Sequence, residues 1–261
     1  MRAAHARSFD HIAEHFDRFA ELVGAPLDAW LASLVPEAGG QRAVDLGCGT
    51  GRHAALLASR YRRVLAVDVS GPMLQLAQAR RGLPNIAYQQ RDLSKVRADT
   101  DGVFDLVLSA YALHHLPDLD GALWRIRELV APGGRVVLVD NVAPTPQVPR
   151  RWFVGEALRT LAVDLLRRRR PAGEAWELFR LNVDPDWLDH LTSDRFLDLT
   201  QFAERYGGVF PGAAFTDLYR AQAMCWEQPG PTSAAIQRTG HRSASTQPSK
   251  RGTGDTAAGR A

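Results

Sequence analysis

The sequence predicts an α/β fold, with a mostly parallel sheet covered by helices on both faces. Three observations carry that expectation. Between Arg42 and Asp140 short apolar runs alternate with helical patterns. The first run ends in a glycine-rich turn, Gly47-Cys48-Gly49-Thr50-Gly51. The chain has 261 residues, 45% of them apolar, enough to pack one large α/β domain. Strands separated by helices imply crossover connections and a parallel sheet buried on both sides.

The elements follow in chain order. In residues 1–40 the positions Phe9, Ile12, Phe16, Phe19 and Val23 recur at spacings of three and four, one apolar stripe of a helix. The stripe is expected to pack on the sheet, or to help close a ligand site. Five strands are expected at Ala43–Leu46, Val64–Asp68, Ile86–Gln89, Phe104–Ala110 and Arg135–Asp140. Helices are expected near Gly51–Arg60, Gly71–Arg81 and Leu119–Val130, while the crossover Leu93–Gly102 is short and poorly patterned. Residues 41–149 thus form the core. In 150–206 there is no convincing strand. Trp152, Phe153, Leu158, Leu161, Leu165 and Leu166 predict a helix ended by Arg167–Arg170 and Pro171, with the arginines in its last turn facing the negative end of the helix dipole. Further helical pieces are expected over Pro185–Leu191 and Leu199–Tyr206. Residues 207–227 supply two closing strands, Ala214–Leu218 and Gln222–Trp226, joined by a turn at Tyr219–Arg220. From residue 228 to 261 Gly, Pro, Ser, Thr, Ala and Arg dominate, the composition of a disordered tail.

Charge and cysteine content narrow the function. The formal charge is +3, but residues 228–261 alone carry about +4, leaving the rest near −1. The folded part offers no electrostatic case for nucleic acid. The two cysteines, Cys48 and Cys225, make neither a disulfide framework nor a metal-ligand pattern. No apolar run is long enough for a membrane span, and the first residues lack a signal-peptide core. A cytoplasmic protein is expected, acting on a small molecule, without nucleic acid or membrane as a partner; the oligomeric state is left open.

Ligands of such sheets bind beyond the carboxyl ends of the strands, where glycines let them approach bare backbone. Asp45 precedes the glycine turn, and a buried acid there favours a cationic ligand group. Asp68 ends the second strand, placed to accept hydrogen bonds from both hydroxyls of a ribose. Asp92 follows the third strand, Phe104–Ser109 leads into Tyr111-Ala112-Leu113-His114-His115-Leu116, and Ala131-Pro132-Gly133-Gly134 is a turn before the fifth strand.

Together these motifs resemble the class I S-adenosylmethionine-dependent methyltransferases of the broad small-molecule type. The likeness runs from about Phe9 to Trp226 and is strongest over Ala43–Ala143. It implies a Rossmann-like, seven-stranded, mostly parallel sheet with a closing antiparallel strand and a helical insertion before the last two strands. It also implies S-adenosylmethionine as cofactor. Asp45, Gly47, Cys48, Gly49 and Gly51 would wrap its methionine part and Asp68 would hold the ribose. Val69 and Met73 would flank the adenine, and Asp92 and Leu93 would bind its amino edge. Ser109 would line the methyl-transfer cleft.

Methyl transfer from a sulfonium needs an aligned, dry acceptor more than an elaborate catalytic set. His114 is the candidate general base for an acceptor that must lose a proton, and His115 is expected to be structural. Tyr111 is a candidate for the acceptor pocket, and His190 would reach it only if the insertion forms a lid. Asp140-Asn141 matches a pair seen in metal-dependent catechol-type relatives, but Ser109 and Tyr111 stand where a further acid would be needed. No metal is expected. Two rivals remain. A nicotinamide-dependent oxidoreductase would want a third glycine where Arg52 stands. A catalytically inactive nucleotide-binding module would keep the fold without turnover.

Overall fold

The structure is a computed structural model describing residues 10–218 and 221–230. Phe9, the turn at Tyr219–Arg220 and nearly all of the tail expected from residue 228 lie outside the described residues.

Two helices, α1 (Ala13–Val23) and α2 (Ala25–Leu34), precede the sheet. Then follow β1 (Gly40–Leu46), α3 (Arg52–Ala58), β2 (Tyr61–Asp68), α4 (Gly71–Arg81), β3 (Ile86–Gln90), α5 (Ala98–Asp101), β4 (Phe104–Ala110), α6 (Leu119–Glu128) and β5 (Val130–Asn141). The later part is α7 (Arg150–Leu166), α8 (Ala172–Asn182), α9 (Pro185–Ser193), α10 (Leu199–Val209), β6 (Ala214–Asp217) and β7 (Ala221–Glu227). The seven strands form one sheet in the order β3-β2-β1-β4-β5-β7-β6. The first five pair in parallel, and β7 runs antiparallel to both β5 and β6.

Both faces of the sheet are buried, which explains why the strands read as continuous apolar runs. On one face Val44, Leu46, Val107, Val136 and Leu138 meet Leu123 and Ile126 of α6 and Phe202, Tyr206 and Val209 of α10. On the other, Ala43, Val64, Leu106, Val137 and Val139 meet Leu31 of α2, Ala54 and Leu57 of α3 and Leu74 of α4. Adjacent residues of β5 thus serve opposite cores, as the pleat requires.

Four expectations change. The apolar stripe of α1 does not lie on the sheet. Phe16 and Phe19 pack on Trp187 of α9, at ring separations of 6.2 and 5.2 Å, and Val23 is exposed. The arginine run follows α7 rather than forming its last turn. Of the four, Arg170 turns back, with its Nε 2.7 Å from Asp164, and donates to the Leu22 carbonyl at 2.9 Å. The helix α8 was not expected at all. The boundary at 206 also falls inside α10, whose apolar face belongs to the sheet's core, so the insertion proper ends before residue 198.

Candidate functional site

The sheet order reverses between β1 and β4, because the crossover after β1 goes one way to β2 and β3 and the chain then returns to β4 on the other side. Loops leaving the carboxyl ends of these two strands diverge and leave a crevice. The turn after β1 borders it. Gly47, Gly49 and Gly51 have φ of 77°, 50° and 79°, the left-handed region that side chains resist. At Gly47 a Cβ would sit 2.4 Å from the Cβ of Ala112, and at Gly51 it would sit 2.5 Å from the Tyr88 hydroxyl. Any larger residue would push the turn away from its neighbours.

Asp45 and Asp68 stand at the carboxyl ends of β1 and β2. Asp68 accepts the Gly49 N–H at 2.8 Å and the Ser70 N–H at 2.9 Å, pinning the glycine turn to the end of β2. A carboxylate has further lone pairs for ligand hydroxyls. Burial pushes its pKa up, against the pull of those N–H groups. Asp45 is 1% exposed, and its Oδ2 makes no hydrogen bond among the described residues. Burial raises its pKa to about 6, with His53 opposing and Asp68 adding. A buried carboxylate with an unused oxygen beside open backbone suits a cationic group such as an ammonium.

Other residues divide. Val69 is exposed, Met73 and Cys48 are buried, and Leu93 comes within 3.7 Å of where a Gly47 Cβ would be. Asp92 is exposed and caps a short turn, accepting the Ser94 N–H at 2.8 Å. Ser109 is 0% exposed and donates to the Leu46 carbonyl at 2.8 Å, which fastens β4 to β1. Tyr111 takes the left-handed conformation, φ 58°, directly after β4. That strain on a bulky side chain, at the carboxyl edge of the sheet, marks a position held for a purpose. Burial, reinforced by Asp140, raises its pKa to about 12.

The histidines were only partly legible. His114 and His115 form a short turn after Tyr111, and the insertion closes over them. Asp194, at the end of α9, stands 3.6 Å from His114 Nε2 and 3.4 Å from His115 Nδ1. His190 Nε2 lies 3.8 Å from the same carboxylate. On its other side His114 Nδ1 touches Asp140 Oδ1. The His114 side chain is 6% exposed. Burial alone would lower its pKa, but Asp140 and then Asp194 outweigh burial and raise it to about 10. Burial likewise works against Asp194, yet the two histidines hold its carboxyl well below the usual range. The candidate base His114 thus sits between two carboxylates, whose charges favour its protonated form. His190 is brought to this cluster by α9.

Asp17 is the functional contact the sequence reading missed. It is 0% exposed, accepts from Thr50 Oγ1 of the glycine turn at 2.5 Å and from Arg81 at 2.7 Å, and also meets Arg80. Arg81 in turn donates to the Thr50 carbonyl at 3.0 Å. Through this acid α1 is locked onto the glycine turn, and Phe16 lies 3.6 Å from where a Gly49 Cβ would be. The available signal was an acid four residues after Ala13 on the buried side of α1, inside a stripe read only for its apolar members.

Comparison with known proteins bears on this geometry. Residues 44–138 match a family model described as a methyltransferase domain. An uncharacterized methyltransferase of Mycobacterium bovis is 42% identical over 118 residues, 45% of this chain and 59% of that protein. The trans-aconitate 2-methyltransferase of Deinococcus radiodurans is 39% identical over 123 residues, 46% of this chain and 45% of that one. The chain therefore spans about half the length of these relatives. The solved complex of DhpI with SAH superposes with a TM-score of 0.58 at 22% identity, covering 88% of this chain and 96% of that one, a likeness of fold.

Proposed function

We propose that this chain, which belongs to the class I S-adenosylmethionine-dependent methyltransferases, transfers a methyl group to a small-molecule acceptor held beneath its helical insertion. The observation that carries the reading is the pair of buried acids at the ends of β1 and β2. Asp45 has an unused oxygen and Asp68 is fixed to a glycine turn of left-handed residues. These residues fit the cofactor: Asp45 toward its ammonium group, the glycine turn along its methionine part, Asp68 toward the ribose hydroxyls. Val69 and Met73 fit beside the adenine, with Asp92 and Leu93 at its amino edge. When bound, S-adenosylmethionine supplies a methyl group already activated by its sulfonium.

The rest of the task falls to the protein's own groups. Tyr111, held in its strained conformation, borders the place where the methyl is presented. Phe16 and α1 lie over the glycine turn, and α9 brings Trp187, His190 and Asp194 over the far side. The insertion and α1 are joined into one cover, since Arg18 donates to Glu177 of α8 at 2.7 and 2.8 Å and Trp187 packs on Phe16 and Phe19. Such a cover excludes water and aligns the acceptor atom with the breaking bond. Buried Trp187 and Phe196 favour a mainly apolar acceptor, an aromatic or polyketide-like secondary metabolite. The acceptor named for the Deinococcus protein does not transfer directly, because the likeness covers less than half of either chain.

The test is calorimetry with S-adenosylhomocysteine, followed by a panel of apolar hydroxylated or amine acceptors scored for S-adenosylhomocysteine release. Tight binding that Asp45→Asn weakens by roughly tenfold supports the reading. Binding of NAD(H) in its place would return the oxidoreductase alternative. Binding without turnover on any acceptor would favour the inactive module.

A further inference from the structure

We propose that His114 Nε2, His115 Nδ1 and the Asp194 carboxylate form a site for one divalent transition-metal ion, of which zinc is the representative. It lies where the turn after β4 meets the end of α9. One ligand atom from each of the three residues lies within 4.8 Å of the others, and all three side chains are nearly buried. The separations suit an ion bridged by both oxygens of Asp194, His114 facing Oδ2 and His115 facing Oδ1. The nitrogen–oxygen distances are 3.6 and 3.4 Å, longer than the 2.7–2.9 Å typical of a charged hydrogen bond. A tetrahedral ion with bonds of about 2.0–2.1 Å spaces its ligand atoms about 3.3–3.4 Å apart. His190 Nε2 lies 3.8 Å from the same carboxylate.

Two further features fit. Metal-bound histidines usually present their second ring nitrogen to a carboxylate, which fixes the ring and raises its donor strength. His114 does this, with Nδ1 on Asp140 and Nε2 toward Asp194. Asp194 is also held in place by the backbone around it. Phe196 N–H donates to the Pro146 carbonyl at 3.1 Å, and Ala143 N–H donates to the Leu197 carbonyl at 3.0 Å, zipping the segment after α9 to the segment after β5. Charge agrees as well: a dication that displaced the proton held by His114 would take that proton's place between the two carboxylates, Asp140 and Asp194. The donor set is nitrogen-rich, which selects zinc-like ions over magnesium or calcium. The expectation of no metal was reasoned for an oxygen-rich site at Asp140-Asn141. The insertion assembles a different site from a residue fifty-four positions further on. An ion here would tie the insertion to the core beside the acceptor crevice, whatever the acceptor is.

The test uses the full chain without an affinity tag, stripped with chelator and dialysed against zinc, with elemental analysis. One equivalent per chain is expected. Cobalt(II) in its place should give the intense visible bands of a four- or five-coordinate site. Asp194→Ala and His115→Ala should abolish both, and Asp140→Asn should weaken zinc binding by about 10–100-fold. Circular dichroism and S-adenosylhomocysteine affinity verify that each variant folds. If the variants do not fold, X-ray absorption of the zinc-loaded wild type decides, with a shell of two imidazoles plus oxygen expected. No stoichiometric zinc, zinc that survives Asp194→Ala, or a shell containing sulfur or only water overturns the proposal.

Discussion

Asp17 offers a sharp test of how the amino-terminal helix serves the site. Replacing it by alanine removes a fully buried carboxylate and strands three partners: Thr50 Oγ1, Arg81 and Arg80. Breaking a buried ion pair from one side costs about 3–5 kcal/mol. Arg80 is 43% exposed and can return to water, whereas Arg81 is 16% exposed and cannot easily do so, so the lower end applies. About 3 kcal/mol corresponds to a fall in Tm of about 6–12 °C for a chain of this size. Asp17→Asn keeps a bond to Thr50 but loses the charge, and should fall between wild type and alanine. The pH dependence adds an independent check. Burial opposes ionisation of Asp17, but Thr50, Arg81 and Arg80 outweigh it and hold the pKa below the ordinary value. Its stabilisation is therefore whole above about pH 4 and is lost as pH falls through the depressed native value. Thermal melts of wild type and Asp17→Ala should differ fully at pH 7 and converge in acid. S-adenosylhomocysteine affinity should fall together with stability, since Thr50 belongs to the glycine turn. A Tm change under about 2 °C, or a gap that stays constant into acid, would refute the account of α1 as a clamp.

Three further outcomes are expected. Asp68→Ala should weaken cofactor binding by about 1–3 kcal/mol, read by calorimetry on the folded variant, and unchanged affinity would remove Asp68 from the ribose site. Because burial raises Asp45 to about 6, the free protein should lose stability as pH rises from about 4 to 6, where the unfolded chain has already released that proton. For the same reason affinity for S-adenosylhomocysteine, which carries an ammonium group, should rise up to about pH 6 and then level, and Asp45→Asn should flatten that profile. Hydrogen exchange over residues 150–197 should slow when S-adenosylhomocysteine and acceptor are both present; protection equal to the sheet's in the free protein, unmoved by ligands, would make the insertion a fixed layer.

The sequence by itself determined the core of this protein. A strand buried on both faces must be apolar, so the central strands β1, β4 and β5 announced themselves, with β4 at its observed bounds, while the edge strand β3 was read from its place between helices. The glycine turn and the acids Asp45 and Asp68 were legible for a similar reason. Left-handed backbone demands glycine, and an acid at a strand's carboxyl end follows a spacing fixed by the local chain. The tertiary structure decided everything that depends on distant segments meeting. The bond from the Ser109 hydroxyl to the Leu46 carbonyl appears only once β4 lies beside β1. Asp17 reads as one polar position of an amphipathic helix until Arg81 and Thr50, far along the chain, close on it. His114 shows no partner in the sequence, and only the fold brings Asp140 from β5 and Asp194 from the end of α9 to either side of it. Local periodicity records which side of an element is buried. It carries no record of which polar groups, tens of residues apart, must satisfy one another once water is excluded, and those pairings shape this site.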